Sequence, residues 1–372
     1  MKDLPVSIRL NPFKGPDGPE GAPVPWSPWG RILPDRPNFT LDPLFHAGCY
    51  YVQDSSAMFV GHIFRKYLPD LKFPRVLDLC AAPGGKTTDI AASLRERCGD
   101  AFELIANEVM AKRARILADN VTAWGDPNVK VCSVDPSVIG REMPGYFDVI
   151  VADVPCSGEG MFRKDPRAEA EWSPELVELC AARQKRILAD VWPALREGGL
   201  LIYSTCTYED AENDANLRWA AETLGGKIIP PEDEFGAYGV RLTSCGSLLK
   251  AGEVTGEGQW AGALVKLGAA EEQPLTYATA TRGPAQKTPS GALRPPLRSV
   301  IPSEAKESDY PRVEVTLEQA QRYLHRDSFP LPEAPLGMIT VCYRGHPLGL
   351  AKNLGKRINN LYPKNRRILM DV

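Results

Sequence analysis

The chain has no apolar run of about 18 residues, the length a membrane-spanning helix needs. It has no Cys-x-x-Cys pair, no Cys/His cluster and no global excess of basic residues. The opening Met-Lys-Asp-Leu-Pro lacks the apolar core of a secretory leader. These absences argue against membrane spanning, export, a zinc knuckle and a resident metal. The nine cysteines are odd in number and scattered, which excludes a disulfide scaffold and predicts a reducing, cytoplasmic setting. A net charge of −3 gives no global sign of nucleic acid, but the distribution is uneven. Between Thr340 and Val372, Arg344, Lys352, Lys356, Arg357, Lys364, Arg366 and Arg367 face Asp371 alone. A basic end on an acidic chain suits a polyanionic partner.

At 372 residues the chain can bury one large and one smaller core. Residues 1–45 are rich in proline and glycine, with one strand expected over Val6–Leu10, and form a short leading extension. A catalytic unit is expected over 46–268, entered by a helix over Tyr50–Leu68. Within it, apolar strands at Val76–Leu79, Phe102–Ala106, Val129–Cys132, Phe147–Ala152 and Leu200–Tyr203 alternate with helical stretches, as doubly wound α/β folds do. Helices are expected over Lys86–Leu94, Ala111–Trp124, Pro174–Leu195 and Glu209–Leu224, and a late antiparallel edge strand from about Glu257 to Leu267. From 269 to 311, Pro274, Pro284, Pro289, Pro295, Pro296, Pro302 and Pro311 leave too little apolar surface for a core, so this stretch reads as a linker. Residues 312–372 form a small basic unit with a helix over Leu317–Leu324 and a strand over Met338–Tyr343.

The chemistry concentrates at strand ends. Cys80-Ala81-Ala82-Pro83-Gly84-Gly85-Lys86 follows the first strand and opens a helix, where small residues let a ligand approach the backbone and the free N–H groups. A phosphate-cradling loop would need glycine where Cys80 stands, and Gly-x-Gly-x-x-Gly is absent. The turn better matches an adenosyl cofactor with a carboxylate-bearing tail. Glu108, about 20 residues on, can take both ribose hydroxyls. Asp135, beyond the third strand, can contact an adenine amino group or simply cap the next helix. Asp153-Val154-Pro155-Cys156 ends the fourth strand and Ser204-Thr205-Cys206-Thr207 the fifth, so two thiols leave strand ends beside the turn. Cys98, Cys132, Cys180, Cys245 and Cys342 read as small apolar fillers. A thiolate there suits alkylation of an unreactive aromatic carbon. C5 of cytosine or uracil becomes nucleophilic once sulfur adds to C6, which divides a hard step into easier ones. Asp153 is the carboxyl group to stabilise such an adduct at the ring nitrogen. Which cysteine attacks is left open by spacing, since a Pro-Cys motif would select Cys156. Arg163, Lys164 and Arg167 could meet phosphates or form a solvated face. Tyr50, Tyr51 and Gln53 could pack or line a base pocket.

Ser7-Ile8-Arg9-Leu10-Asn11, Asp78 to Thr88, Asn107-Glu108, Phe147 to Pro166, Tyr203 to Asn213 and Gly345 to Pro363 closely resemble the Nop/Sun family of RNA cytosine C5-methyltransferases, in its RsmF-like branch. The resemblance covers nearly everything outside the linker. It implies a Rossmann-like class I S-adenosylmethionine-dependent methyltransferase domain and a small α+β, PUA-like RNA-binding domain. It also implies that Cys206 is the nucleophile, that Cys156 assists product release, and that Cys80, Ala81, Ala82, Pro83, Gly84, Gly85, Lys86, Glu108, Asp135 and Asp153 bind S-adenosylmethionine. The implied partner of this expected monomer is 16S (small-subunit) ribosomal RNA or the subunit itself. A transfer RNA substrate and a non-catalytic, ribosome-assembly RNA-binding role are the alternatives. The family's helical segment ahead of Ser7 has no counterpart in this sequence, which implies that its substrate contacts are lost or supplied elsewhere.

Overall fold

A computed structural model describes residues 6–162, 166–268 and 310–370. The expected linker, save its last two residues, lies outside the described residues, as do Arg163 and Lys164.

The strand expected at the start of the chain, β1 (Val6–Leu10), is the centre of a small antiparallel sheet with β2 (Ala22–Pro23), β3 (Gly30–Leu33) and β4 (Tyr50–Val52). β4 corrects the helix expected from Tyr50. Its first residues instead pair with β1, Ile8 opposite Val52 and Leu10 opposite Tyr50. Aromatic and β-branched residues favour a pleated surface, and an open strand edge lay beside them. The short helix α1 (Pro43–His46) precedes β4, and the helix that was expected begins later, as α2 (Phe59–Tyr67).

The large sheet carries the alternation read from the sequence. Its parallel part is β5 (Arg75–Asp78), β6 (Glu103–Asn107), β7 (Val129–Cys132), β8 (Phe147–Asp153) and β9 (Leu195–Thr205). Helices α3 (Gly85–Cys98), α4 (Ala111–Trp124), α5 (Pro136–Glu142), α6 (Pro166–Glu171), α7 (Pro174–Val191) and α8 (Asp214–Leu224) fill the connections. Successive side chains leave opposite faces of a strand. Val76, Val149, Val151 and Ile202 therefore pack towards α2, α3 and α4, while Leu77, Ile150, Ala152 and Tyr203 pack towards α5, α7 and α8. Coverage on both faces explains the uninterrupted apolar runs. Helix α7 starts where expected, Ser173 Oγ accepting from Leu176 N at 3.2 Å. It ends earlier than expected, at Val191, because Pro193 in the next turn has no N–H to extend it. Helix α8 starts later than expected, after a single turn over Asp210–Glu212.

The remaining strands are β10 (Gly226–Ile229), β11 (Val240–Leu242), β12 (Gly246–Lys250) and β13 (Gly258–Lys266). The order is β11-β12-β13-β9-β8-β5-β6-β7, with β10 also on β13. The late strand β13 is antiparallel as expected, but it is not an edge. β9 lies on one side, and β12 and β10 share the other. Gly246 and Gly262 make that possible, since a Cβ on Gly246 would lie 2.5 Å from Ala261 O and the Trp260 ring, and one on Gly262 2.7 Å from Cys245 O. The strand order reverses between β5 and β8, and ligands of open α/β sheets sit at the carboxyl ends of such a pair.

The C-terminal unit is β14 (Arg312–Glu314), α9 (Leu317–His325), β15 (Gly337–Tyr343), β16 (His346–Asn353) and β17 (Ile358–Asn360), a four-stranded sheet with one helix. A capping box at Thr316 and Gln319 starts α9. Its buried Tyr323, Leu324 and Ile339 belong to the same apolar cluster as Ile8, Leu44 and Tyr50 of the leading sheet. Gln321 Nε2 donates to Leu41 O at 2.9 Å, and Asp17 pairs with Arg344 at 3.0 Å and His346 at 2.9 Å. The two ends of the chain are therefore packed together.

Candidate active site

Asp78 ends β5 and is wholly buried. Thr87 Oγ1 donates to its Oδ2 at 2.6 Å, while Oδ1 is buried without a hydrogen-bond partner. Burial lifts this carboxyl to about 7, with the charge of Asp153 adding to the shift and Thr87 opposing it. The turn that follows is anchored from outside. Asn107 Nδ2 donates to Leu79 O at 3.2 Å, Arg113 Nη2 to Ala82 O at 2.8 Å and Asn120 Nδ2 to Pro83 O at 2.7 Å. Gly84 has φ of 113°, a conformation only glycine adopts readily. A Cβ there would also come within 3.1 Å of Leu117 Cδ1. Helix α3 opens on the next residue, so its free N–H groups face the end of the turn.

Behind the turn, Arg9 of β1 is wholly buried. Its Nη2 donates to Gly85 O at 2.9 Å and its Nε to Gln53 Oε1 at 2.8 Å, and Asp89 lies 3.8 Å away. Burial brings this guanidinium down to about 10 against the pull of Asp89. Glu108, past the end of β6, is 2 % exposed. Its Oε1 accepts from Met110 N at 2.9 Å, and Arg113 stands 3.2 Å from an Oε2 that has no hydrogen bond. Asp135 is the N-cap of α5, holding Ser137 N at 3.0 Å and Ser137 Oγ at 2.5 Å. Those bonds keep its exposed carboxyl below the usual value. Ala81 and Ala82 are buried in the sheet's core, and burial pushes the Cys80 thiol up.

Between β8 and β9 the sequence-expected residues converge. The Cys156 and Cys206 sulfurs are 3.1 Å apart, and Cys206 N donates to Cys156 Sγ at 3.3 Å. Both residues are partly exposed, unlike a packed core cysteine. The Cys156 S–H hydrogen bond favours a thiolate on Cys206, and Lys86 adds to this against burial and the charge of Asp153, so the Cys206 thiol is lowered. The reciprocal bond and burial raise Cys156. Lys86 Nζ bonds Asp153 Oδ2 at 2.8 Å. Burial would lower that ammonium, but Asp153 holds it above its ordinary value. Asp153 Oδ1 accepts from Ser204 Oγ at 2.7 Å and Gln259 Nε2 at 3.1 Å.

Sequence reasoning missed the residues that hold the two thiol loops. Glu212 Oε2 accepts from Ser157 N at 3.1 Å and from Gln184 Nε2 at 2.6 Å. Gln184 also donates to Pro155 O at 2.9 Å, and Tyr203 OH donates to Glu212 O at 2.5 Å. Glu159 Oε2 accepts from Thr207 Oγ1 at 2.7 Å and Tyr208 N at 2.6 Å, while Gly160 N bonds Cys206 O at 2.8 Å. Of these, Glu159, Thr207 and Glu212 lie in the motifs already singled out. Gln184 and Gln259 carry no local signal. Among the described residues no cluster of three His, Cys, Asp or Glu side chains could hold a metal ion.

Three family models match the chain. The N-terminal domain of 16S rRNA methyltransferase RsmF matches residues 1–55, 16S rRNA methyltransferase RsmB/F residues 70–223, and the methyltransferase RsmF PUA domain residues 310–368. The chain is 36% identical over 265 residues to ribosomal RNA small subunit methyltransferase F of Escherichia coli O139:H28, covering 67% of this chain and 54% of that protein. It is 37% identical over 267 residues to the protein of the same name from Shigella boydii serotype 18, with the same coverage. The chain thus spans about half the length of the curated relatives it matches. Among solved structures, a methyltransferase homolog protein from Pyrococcus horikoshii aligns with TM-score 0.59 and 26% identity over 72% of this chain and 88% of that one. NSun6 from Pyrococcus horikoshii, solved with SFG, shares the fold with TM-score 0.52 and 24% identity over 63% and 57%.

Proposed function

The chain belongs to the RsmB/F family of 16S rRNA methyltransferases, and on that premise we propose that it methylates C5 of a cytosine in small-subunit ribosomal RNA, using S-adenosylmethionine and a transient bond from Cys206 to C6. The residues at the sheet's switch point fit that cofactor. Glu108 keeps a buried oxygen that accepts no hydrogen bond and can take ribose hydroxyls beside its ion pair with Arg113. Asp78 Oδ1 accepts none either, beside a turn that only glycine can make at position 84. The Cys80–Lys86 turn, Glu108, Asp135 and Asp153 would hold it, and when bound it supplies an electrophilic methyl group.

The chain's own residues do the rest. Cys206 Sγ, sharing the Cys156 proton, adds to C6 and sends electron density into the ring. The ring nitrogen takes a proton from solvent as the adduct forms and returns it once C5 is alkylated. Asp153, fixed by Lys86, Ser204 and Gln259, accepts a hydrogen bond from that N–H. Once Cys206 is bonded to carbon, Cys156 loses the anionic partner that raised it, so its thiol becomes more acidic and releases its proton to solvent. As a thiolate it removes the C5 proton, the electron pair of that C–H bond reforms the C5–C6 double bond, and the Cys206–C6 bond breaks. The target base must first be unstacked from its neighbours.

The observation that carries this reading is the 3.1 Å approach of two partly exposed thiols beside the Lys86–Asp153 pair. Incubation with methyl-labelled S-adenosylmethionine and either 16S rRNA, free small subunits or transfer RNA tests it. Label mapped to C5 of a cytosine in ribosomal RNA is the expected result. Label in transfer RNA alone would replace the substrate, and no label in any RNA would remove the activity.

A further inference from the structure

A cavity of about 340 Å³ opens where the leading sheet, α4 and the single turn Lys364–Arg366 of the C-terminal unit meet. Its size is that of a small-ligand site. Phe45, Tyr50, Tyr51 and Trp124 give it aromatic walls, and Asn120, Asp119 and Arg366 add an amide, a carboxylate and a cation. The polar groups are held in place. Tyr51 OH donates to Pro83 O at 3.2 Å and Asn120 Nδ2 to the same oxygen at 2.7 Å, so this wall continues into the cofactor turn. Asp119 Oδ2 accepts from Asn365 Nδ2 at 3.3 Å, and the Arg366 guanidinium lies 5.8 Å from the centre of the Tyr362 ring. His46, also in the wall, is lowered by burial. Arg366 is the one lysine or arginine among the described lining residues.

We propose that the cavity is a second nucleotide site, taking one base of the single-stranded RNA that flanks the target, with Arg366 on its phosphate. Partly exposed aromatic rings for stacking, here Phe45 and Tyr51 with the buried Tyr50 and Trp124 behind them, an amide and a carboxylate for a base edge, and one arginine are the means by which proteins hold single-stranded RNA. An apolar ligand would leave the remaining hydrogen-bonding capacity of Asp119 and Arg366 unused. The site is made by three separated parts of the chain, so it exists only when both ends are docked on the catalytic sheet. The proposal rests on RNA being the substrate and adds where a second nucleotide sits.

Two variants of the full chain test it with a short fluorescein-labelled single-stranded RNA of mixed sequence, read by anisotropy. Ile116, in the wall and 52% exposed, can fill the cavity without changing charge as Ile116→Trp. Losing one stacked base should weaken binding about tenfold and leave its salt dependence unchanged. Arg366→Gln should instead flatten the slope of log affinity against log salt by about 0.7, the value of one phosphate contact on a single strand. Light-induced crosslinking of RNA carrying 5-iodouridine should map to the peptides holding Phe45, His46 or Trp124. If the wild-type chain binds RNA but both variants bind as well and crosslinks map elsewhere, the second site is refuted and the methylation reading stands. If the wild-type chain binds no RNA, both fall.

Discussion

The Cys156 and Cys206 sulfurs lie 3.1 Å apart, and the hydrogen bond from Cys156 together with Lys86 lowers the Cys206 thiol. The same crevice holds a carboxyl group in an adverse setting. Asp78 ionises at about 7 when folded against an ordinary 3.8. Between those values the unfolded chain gives up its proton first, so rising pH destabilises the fold across that window, and the full penalty remains above it. Asp78→Asn keeps the Thr87 hydrogen bond and puts an N–H where Oδ1 faces the charges of Asp153 and Glu108. The variant should be more stable than wild type at pH 8 by roughly 2–4 kcal/mol, with the gap closing as pH falls towards 4. It should also bind S-adenosylmethionine more weakly. Urea unfolding at the two pH values and calorimetric titration of the cofactor check this, and a gap that does not vary with pH would contradict it.

At the scale of elements, the loops after β8 and β9 carry one thiol each, and Glu212 is one of the groups that join them. That carboxylate is buried and raised by burial, yet it receives Ser157 N and Gln184 Nε2. Glu212→Ala removes the acceptor of Ser157 N and leaves Gln184 Nε2 with Pro155 O, at a cost of about 1–3 kcal/mol. It should lower the methylation rate several-fold while cofactor affinity holds, because the cofactor turn makes no bond to Glu212. Single-turnover kinetics beside calorimetry separate the two, and a normal rate would mean the loops are held by other bonds. The glycine turn, Glu108 and both thiols were legible in the sequence because each sits at the end of an apolar run that could only be a covered strand. Gln259 was not, since its partner Asp153 is set by β13 lying against β9, and nothing in Gly258–Lys266 reveals that neighbour. The helix expected at Tyr50 failed for the same reason, the pairing of Tyr50–Val52 being decided by β1, about forty residues earlier in the chain, rather than locally.

Across the whole molecule, an acidic total with a basic C-terminal end suits the polyanionic partner proposed above. The basic end was readable as charge. Its docking on the leading sheet through Gln321, Asp17 and a shared apolar cluster was not, because Leu44, Tyr50 and Tyr323 look alike in sequence whether they face one core or two. That docking brings Arg366 to α4 beside the cofactor turn. The proposed methylation depends on one transient bond, between residue 206 and a pyrimidine. Intact-mass analysis of Cys156→Ala after incubation with 16S rRNA and S-adenosylmethionine, followed by nuclease and peptide mapping, reads that bond directly. A methylated nucleotide attached to Cys206 should accumulate, and Cys206→Ala should show none. An adduct on any other residue, or methyl transfer by Cys206→Ala at the wild-type rate, would contradict the account.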